Sequence, residues 1–116
     1  MTFEEKRQYK RVQAHFKIEL KIGDDQNLAT ALAKNISKGG IYFQTDQLLG
    51  PNDLVEISFK LPGNDIVYTI TGQVVRLIHA DDPKNESKCH YGAGIKFINI
   101  DSDALSAIQQ FIEKVS

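Results

Sequence analysis

Val12-Gln13-Ala14-His15-Phe16-Lys17-Ile18-Glu19-Leu20-Lys21-Ile22 alternates without a break. Val12, Ala14, Phe16, Ile18, Leu20 and Ile22 fall on one side, and Gln13, His15, Lys17, Glu19 and Lys21 on the other. Successive side chains of a strand point to opposite faces, so a period of two marks a half-buried strand with one face on a core. Gly23-Asp24-Asp25-Gln26-Asn27 is turn chemistry, and Leu28 to Ile36 then reads as the returning strand of a hairpin. Ala29, Ala31 and Ala33 share one face of that strand, which calls for something bulky packed over them.

The same pattern continues along the chain. After a turn over Ser37 to Gly40, Ile41-Tyr42-Phe43-Gln44-Thr45 is a short β run, and Leu48 to Asp53 is a loop ending in turn residues. Leu54 to Leu61 alternates again, Pro62-Gly63-Asn64-Asp65 closes a hairpin, and Ile66 to His79 forms a long strand. Gly72 interrupts that strand where a bend or bulge would let a barrel wall curve. Asp81 to Lys88 is a polar loop tip, and Tyr91 to Ile100 is the last strand, with Gly92 and Gly94 on one face. The tail changes period: Leu105, Ile108, Phe111, Ile112 and Val115 recur at helical spacing, with Asp101 or Ser102 as N-cap. The expected fold is therefore all-β dominated, a six-stranded antiparallel β-barrel with a C-terminal α-helix that covers the sheet or a barrel mouth.

At 116 residues the chain is expected to form one domain over 1–116. Its apolar runs are too short to span a bilayer, and Met1-Thr2-Phe3-Glu4-Glu5-Lys6 lacks the apolar stretch of a signal peptide, so the expected location is cytoplasmic. A net charge of −1 argues against non-specific binding to long nucleic acids, though not against a small anion held by a few placed cations. Cys89 is alone, which excludes an internal disulfide and leaves no metal-ligand spacing; it reads as an incidental thiol in a polar loop. His15, His79 and His90 fall on separate elements, and no Ser/His/Asp order, acid pair or phosphate-cradling loop stands out. An enzyme is not expected, nor a metal or a resident cofactor.

Two of the three arginines, Arg7 and Arg11, stand in one short segment, whereas eleven lysines supply basic charge elsewhere. Placing scarce arginine together suggests a need for guanidinium geometry: a planar fork grips a phosphate or the O6/N7 edge of guanine through two parallel bonds. That points to a phosphate-bearing guanine ligand. Taken singly, Lys6 to Arg11 would be a solvated terminal segment, and Asn35-Ile36-Ser37-Lys38-Gly39-Gly40 an ordinary turn.

Their order and spacing change that reading. Arg-x-x-x-Arg, one strand hairpin and then Asn-x-Ser-x-x-Gly resembles the paired signature of the PilZ domain family. The resemblance continues through Gly72-Gln73-Val74-Val75-Arg76 and Tyr91-Gly92-Ala93-Gly94-Ile95-Lys96-Phe97, and so covers the chain from about Lys6 to the terminal helix. It implies a barrel that receives the bacterial second messenger cyclic di-GMP. It further implies that residues 1–11 are a flexible arm whose Arg7 and Arg11 fold over the ligand, above a floor formed by Asn35, Ser37 and Gly40. Asn35 would face a guanine edge, Ser37 would offer a hydroxyl to guanine or phosphate, and Gly40 would permit a tight turn or close approach. Where the family often has Asp, Asn35 is a tuning difference that keeps negative charge away from the phosphates. Lys6, before the first Arg, leans toward an intercalated ligand pair, and Arg76 falls where relatives present a large or basic side chain to the ligand. Lys10 would add only long-range attraction.

The expected function is thus a non-catalytic receptor for cyclic di-GMP that signals to an unidentified downstream protein by ordering its arm, as a monomer or a ligand-dependent dimer. Two other readings stay open. A nucleotide-insensitive adaptor for a motility or export machine would lack the signature, and a barrel for single-stranded nucleic acid would need a basic, aromatic-lined face. Tyr9, Tyr42, Phe43, Tyr68 and Tyr91 read as core or strand-pair residues in preference to base-stacking platforms.

Overall fold

The computed structural model describes residues 10–22, 28–47, 49–79 and 91–115. Six strands and one helix follow in order: β1 (Val12–Ile22), β2 (Leu28–Ile36), β3 (Gly40–Thr45), β4 (Leu54–Lys60), β5 (Val67–His79), β6 (Tyr91–Asn99) and α1 (Ser102–Val115). Every strand pair is antiparallel, and the sheet closes on itself in the order β1-β2-β3-β6-β5-β4. The six-stranded barrel and terminal helix are as expected, with strand ends within one residue of the positions read from alternation. The segments 23–27 and 81–88, expected as turn and loop, lie outside the described residues.

Alternation sets the core. Phe16, Ile18 and Leu20 of β1, Ile41 and Phe43 of β3, Val55, Ile57 and Phe59 of β4, and Ala93, Ile95 and Phe97 of β6 are all buried. The bulk expected over the small face of β2 comes from its neighbours: Ala33 stands in register with Phe16 on one side and Phe43 on the other. Phe16 also meets Phe59, with ring centroids 5.6 Å apart. Leu49, in the segment expected as loop, is buried as well. Beyond it, Gly50 N donates to Asp53 Oδ2 (2.7 Å), and the turn is tied to β5 by Asn52 N to Val74 O and Val74 N to Asp53 O (both 2.9 Å).

Gly72 is needed for packing. A Cβ there would overlap the Cγ2 of Ile95; the β5–β6 ladder does shift register between Thr71 and Gly72, but the extra residue is Ile98 of β6 and not the glycine expected to bulge. Asp101 caps the helix, its Oδ1 accepting from Ala104 N at 2.8 Å, and Asp103 lies in the first turn where a carboxylate suits the helix dipole. The buried stripe differs from the expected one: Ala104, Ile108 and Ile112 join the barrel core and Phe111 is half-buried, while Leu105 and Val115 are exposed. Residues 104, 108 and 112 are four apart and so share one side of the helix, which fixes the stripe on that side.

Candidate functional site

Two of the expected site residues owe their orientation to one extra residue in their strands. In β2, Ala33 pairs with Phe43 but Asn35 pairs with Tyr42, so Lys34 is a bulge. Strict alternation would turn Asn35 inward with Ala31 and Ala33; after the bulge Ile36 takes the core position and Asn35 comes to the outer face, half-buried. In β5, Val74 pairs with Ile95 but Arg76 with Gly94, which makes Val75 a second bulge. Arg76 shares its parity with the buried Ile70 and Val74, yet it is exposed. Both bulges re-aim a polar side chain from the core to the surface.

The registers then align these residues. Gln13, Asn35, Tyr42, Gly94 and Arg76 are successive partners across β1, β2, β3, β6 and β5, forming one row around the outside of the barrel. Just before β1, the Nη1 of Arg11 donates to Oδ1 of Asn35, which joins the two halves of the sequence signature. Lys6 and Arg7, with most of the expected 1–11 arm, lie outside the described residues, as do Tyr9, Cys89 and His90.

The turn after β2 is built from within. Ser37 is buried, and its Oγ accepts from Gly39 N (3.1 Å) and Gly40 N (3.2 Å), while Ser37 N donates to Gly40 O (2.9 Å). The Ser37 hydroxyl thus shapes the turn. The turn is held to β6 by Phe97 N donating to Gly39 O at 2.9 Å. A Cβ on Gly40 would overlap the carbonyl oxygen of Ile95 and lie 3.3 Å from its carbon, so glycine here serves close approach to the neighbouring strand.

Charge is distributed unevenly over the barrel. The chain carries 15 carboxylates, yet β2, β3, β5 and β6, which are contiguous in the sheet, contain none and include Lys34, Lys96 and Arg76. Glu19 and Glu56 stand on β1 and β4. Strands without acids, beside Arg11, suit an anion despite the overall charge. Whole-chain charge conceals this; tallying acids strand by strand would have found it. The acidic stretch 81–86 that joins β5 to β6 lies outside the described residues. An open cleft of about 580 Å³ lined by Lys17, Glu19, Thr30, Ser58, Lys60 and Val67 lies instead on the β1–β4 side, away from the signature residues. Among the described residues no cluster of three or more His, Cys, Asp or Glu is placed to hold a metal, and no helix is long and apolar enough to cross a membrane.

Solved structures share this barrel. The chain is similar to the inhibitor of motility MotI/DgrA of Bacillus subtilis (TM-score 0.75, 20% identity), with 94% of this chain covered and about half (51%) of that one. It is similar to the PilZ domain of YcgR from Escherichia coli, solved with c-di-GMP (TM-score 0.71, 18% identity), covering 93% of this chain and 89% of that one. A third is the PilZ domain of CeSA from a cellulose-synthesizing bacterium (TM-score 0.61, 13% identity), with 91% and 97% covered. At these identities the likeness is one of fold. No curated protein matches the chain by sequence. The PilZ domain family model matches residues 5–114, from before the first arginine of the signature to the last turn of the helix. A match of that extent, over a barrel with the signature turn in place, means that the chain belongs to the PilZ domain family.

Proposed function

We propose that this domain is a non-catalytic receptor for cyclic di-GMP, and that ordering of residues 1–11 over the acid-free strands passes the signal to a downstream protein. The observation that carries the reading is the Arg11 guanidinium on Asn35, which joins the arm to the turn where a guanine edge and a phosphate would both be reached. Support also comes from the similar YcgR domain, solved with this nucleotide. The similar inhibitor of motility supports a downstream process for such a signal. A ligand signals only by favouring one state, and immobilising an arm supplies that difference. Arg7 joins Arg11 in holding the ligand, Asn35 reads a guanine edge, and Ser37 and Gly40 form the floor. Arg76 approaches from β5, and Lys6 favours a ligand pair. The receptor works in the cytoplasm as a monomer or a ligand-dependent dimer.

Isothermal titration of cyclic di-GMP into the purified protein, with GTP and the linear dinucleotide as controls, tests this. Saturable binding selective for the cyclic form is expected, and a stoichiometry of two would bear out the role of Lys6. Absence of binding in both calorimetry and a second, non-calorimetric assay would overturn the receptor reading in favour of the nucleotide-insensitive adaptor.

A further inference from the structure

Tyr42 stands between Asn35 and Gly94 in the outer row, and it is half-buried while its neighbours Ile41 and Phe43 point into the core. Its phenol end leans over Gly92: a Cβ there would lie 2.8 Å from Tyr42 Cζ and 3.2 Å from Cε2. Gly94 differs. Among the described residues, only Arg76 Cβ, at 3.3 Å, lies within 4 Å of where its Cβ would be. Among the described residues the outer face of β6 is therefore open at Gly94, with Tyr42 on the strand to one side and Arg76 on the strand to the other.

The dimensions suit a flat ring. Tyr42 and Arg76 are two strand spacings apart, about 10 Å. A planar group with a carbon contact on each face takes up about 7–8 Å, so one base can lie over Gly94 between the two strands. An aromatic ring on one side and a guanidinium on the other both favour the π-face of a purine. The acid-free strands around them suit a purine that carries phosphate.

We propose that Tyr42 is a base-stacking and specificity-determining residue: a guanine of the ligand lies over Gly94, against the Tyr42 ring and opposite Arg76. This rests on the receptor reading above and adds to it a residue outside the sequence signature. Gly92 gives the tyrosine room to lie down, and Gly94 leaves the place for the base.

The test is calorimetric titration of cyclic di-GMP into wild type, Tyr42→Phe and Tyr42→Leu, each checked by thermal melting. Tyr42→Phe is expected to bind within about twofold of wild type, and Tyr42→Leu about tenfold or more weakly, the scale of one lost stacking partner. The chain has no tryptophan, so Tyr42→Trp supplies a single reporter whose emission should change saturably with the ligand. If Tyr42→Leu does not fold, the tryptophan emission decides. Wild-type binding with an undiminished Tyr42→Leu, or with a silent Tyr42→Trp, would overturn this proposal and leave the receptor standing. A wild type that does not bind would overturn both.

Discussion

The turn at 37–40 and the outer face of β6 both depend on glycine, for opposite reasons. At Gly40 the neighbouring backbone fills the space a side chain would need, and Ser37 and Phe97 tie the same turn down by hydrogen bonds. At Gly94, among the described residues, the space is open but for the stem of Arg76. One glycine closes the barrel and the other leaves room on it. A glycine inside the motif can thus be required by the neighbouring strand as well as by any ligand, whereas one outside the motif can be spared such crowding.

Substitutions can break or sharpen that contrast. The largest effect is expected from Gly40→Ala, which drives a methyl into the Ile95 carbonyl and should cost about 3 kcal/mol of stability in urea denaturation. An unchanged midpoint would show that the turn is looser than described. Arg11→Ala should leave the melt nearly unchanged while weakening cyclic di-GMP binding by about 2 kcal/mol, as should Arg7→Ala, read by titration calorimetry. If both variants bind like wild type, the arginine assignment is wrong. Ser37→Ala removes the acceptor of Gly39 N and Gly40 N, so a loss of about 1 kcal/mol in the same denaturation is expected, without a change of fold by circular dichroism. The smallest change should come from Gly94→Ala, within about 1 kcal/mol of wild type, because among the described residues only the Arg76 stem must give way. A cost equal to that at Gly40 would erase the distinction.

Much of this fold was legible because its strands are half-buried: Val12–Ile22 and Leu54–Lys60 announce themselves by alternation, and the helix by its change of period. Arg11, Asn35 and the Ser37–Gly40 turn were legible as a spaced signature, and the contact between Arg11 and Asn35 fits it. Other features depend on pairing and so were not visible. Nothing in Leu105 or Val115 as residues says that they stay exposed while Ala104 is buried; the side of the helix that meets the barrel decides it. Tyr42 looked like an ordinary strand residue because its surroundings are two glycines from a strand some fifty positions later in the chain. The bulges at Lys34 and Val75 show only when each strand is laid against its partner.

Those two inserted residues behave as phase shifters. Counting in twos from Ala31 assigns Asn35 to the interior, and counting in twos from Ile70 does the same for Arg76; a single added position reverses each assignment. What the wall displays is thus encoded in segment length as well as in residue identity. A relative could retain every letter of the signature and still hide its asparagine in the core if it lacked the one position before it. Conversely, lengthening a strand by one residue is a route by which a plain barrel could acquire a binding face without altering any other side chain.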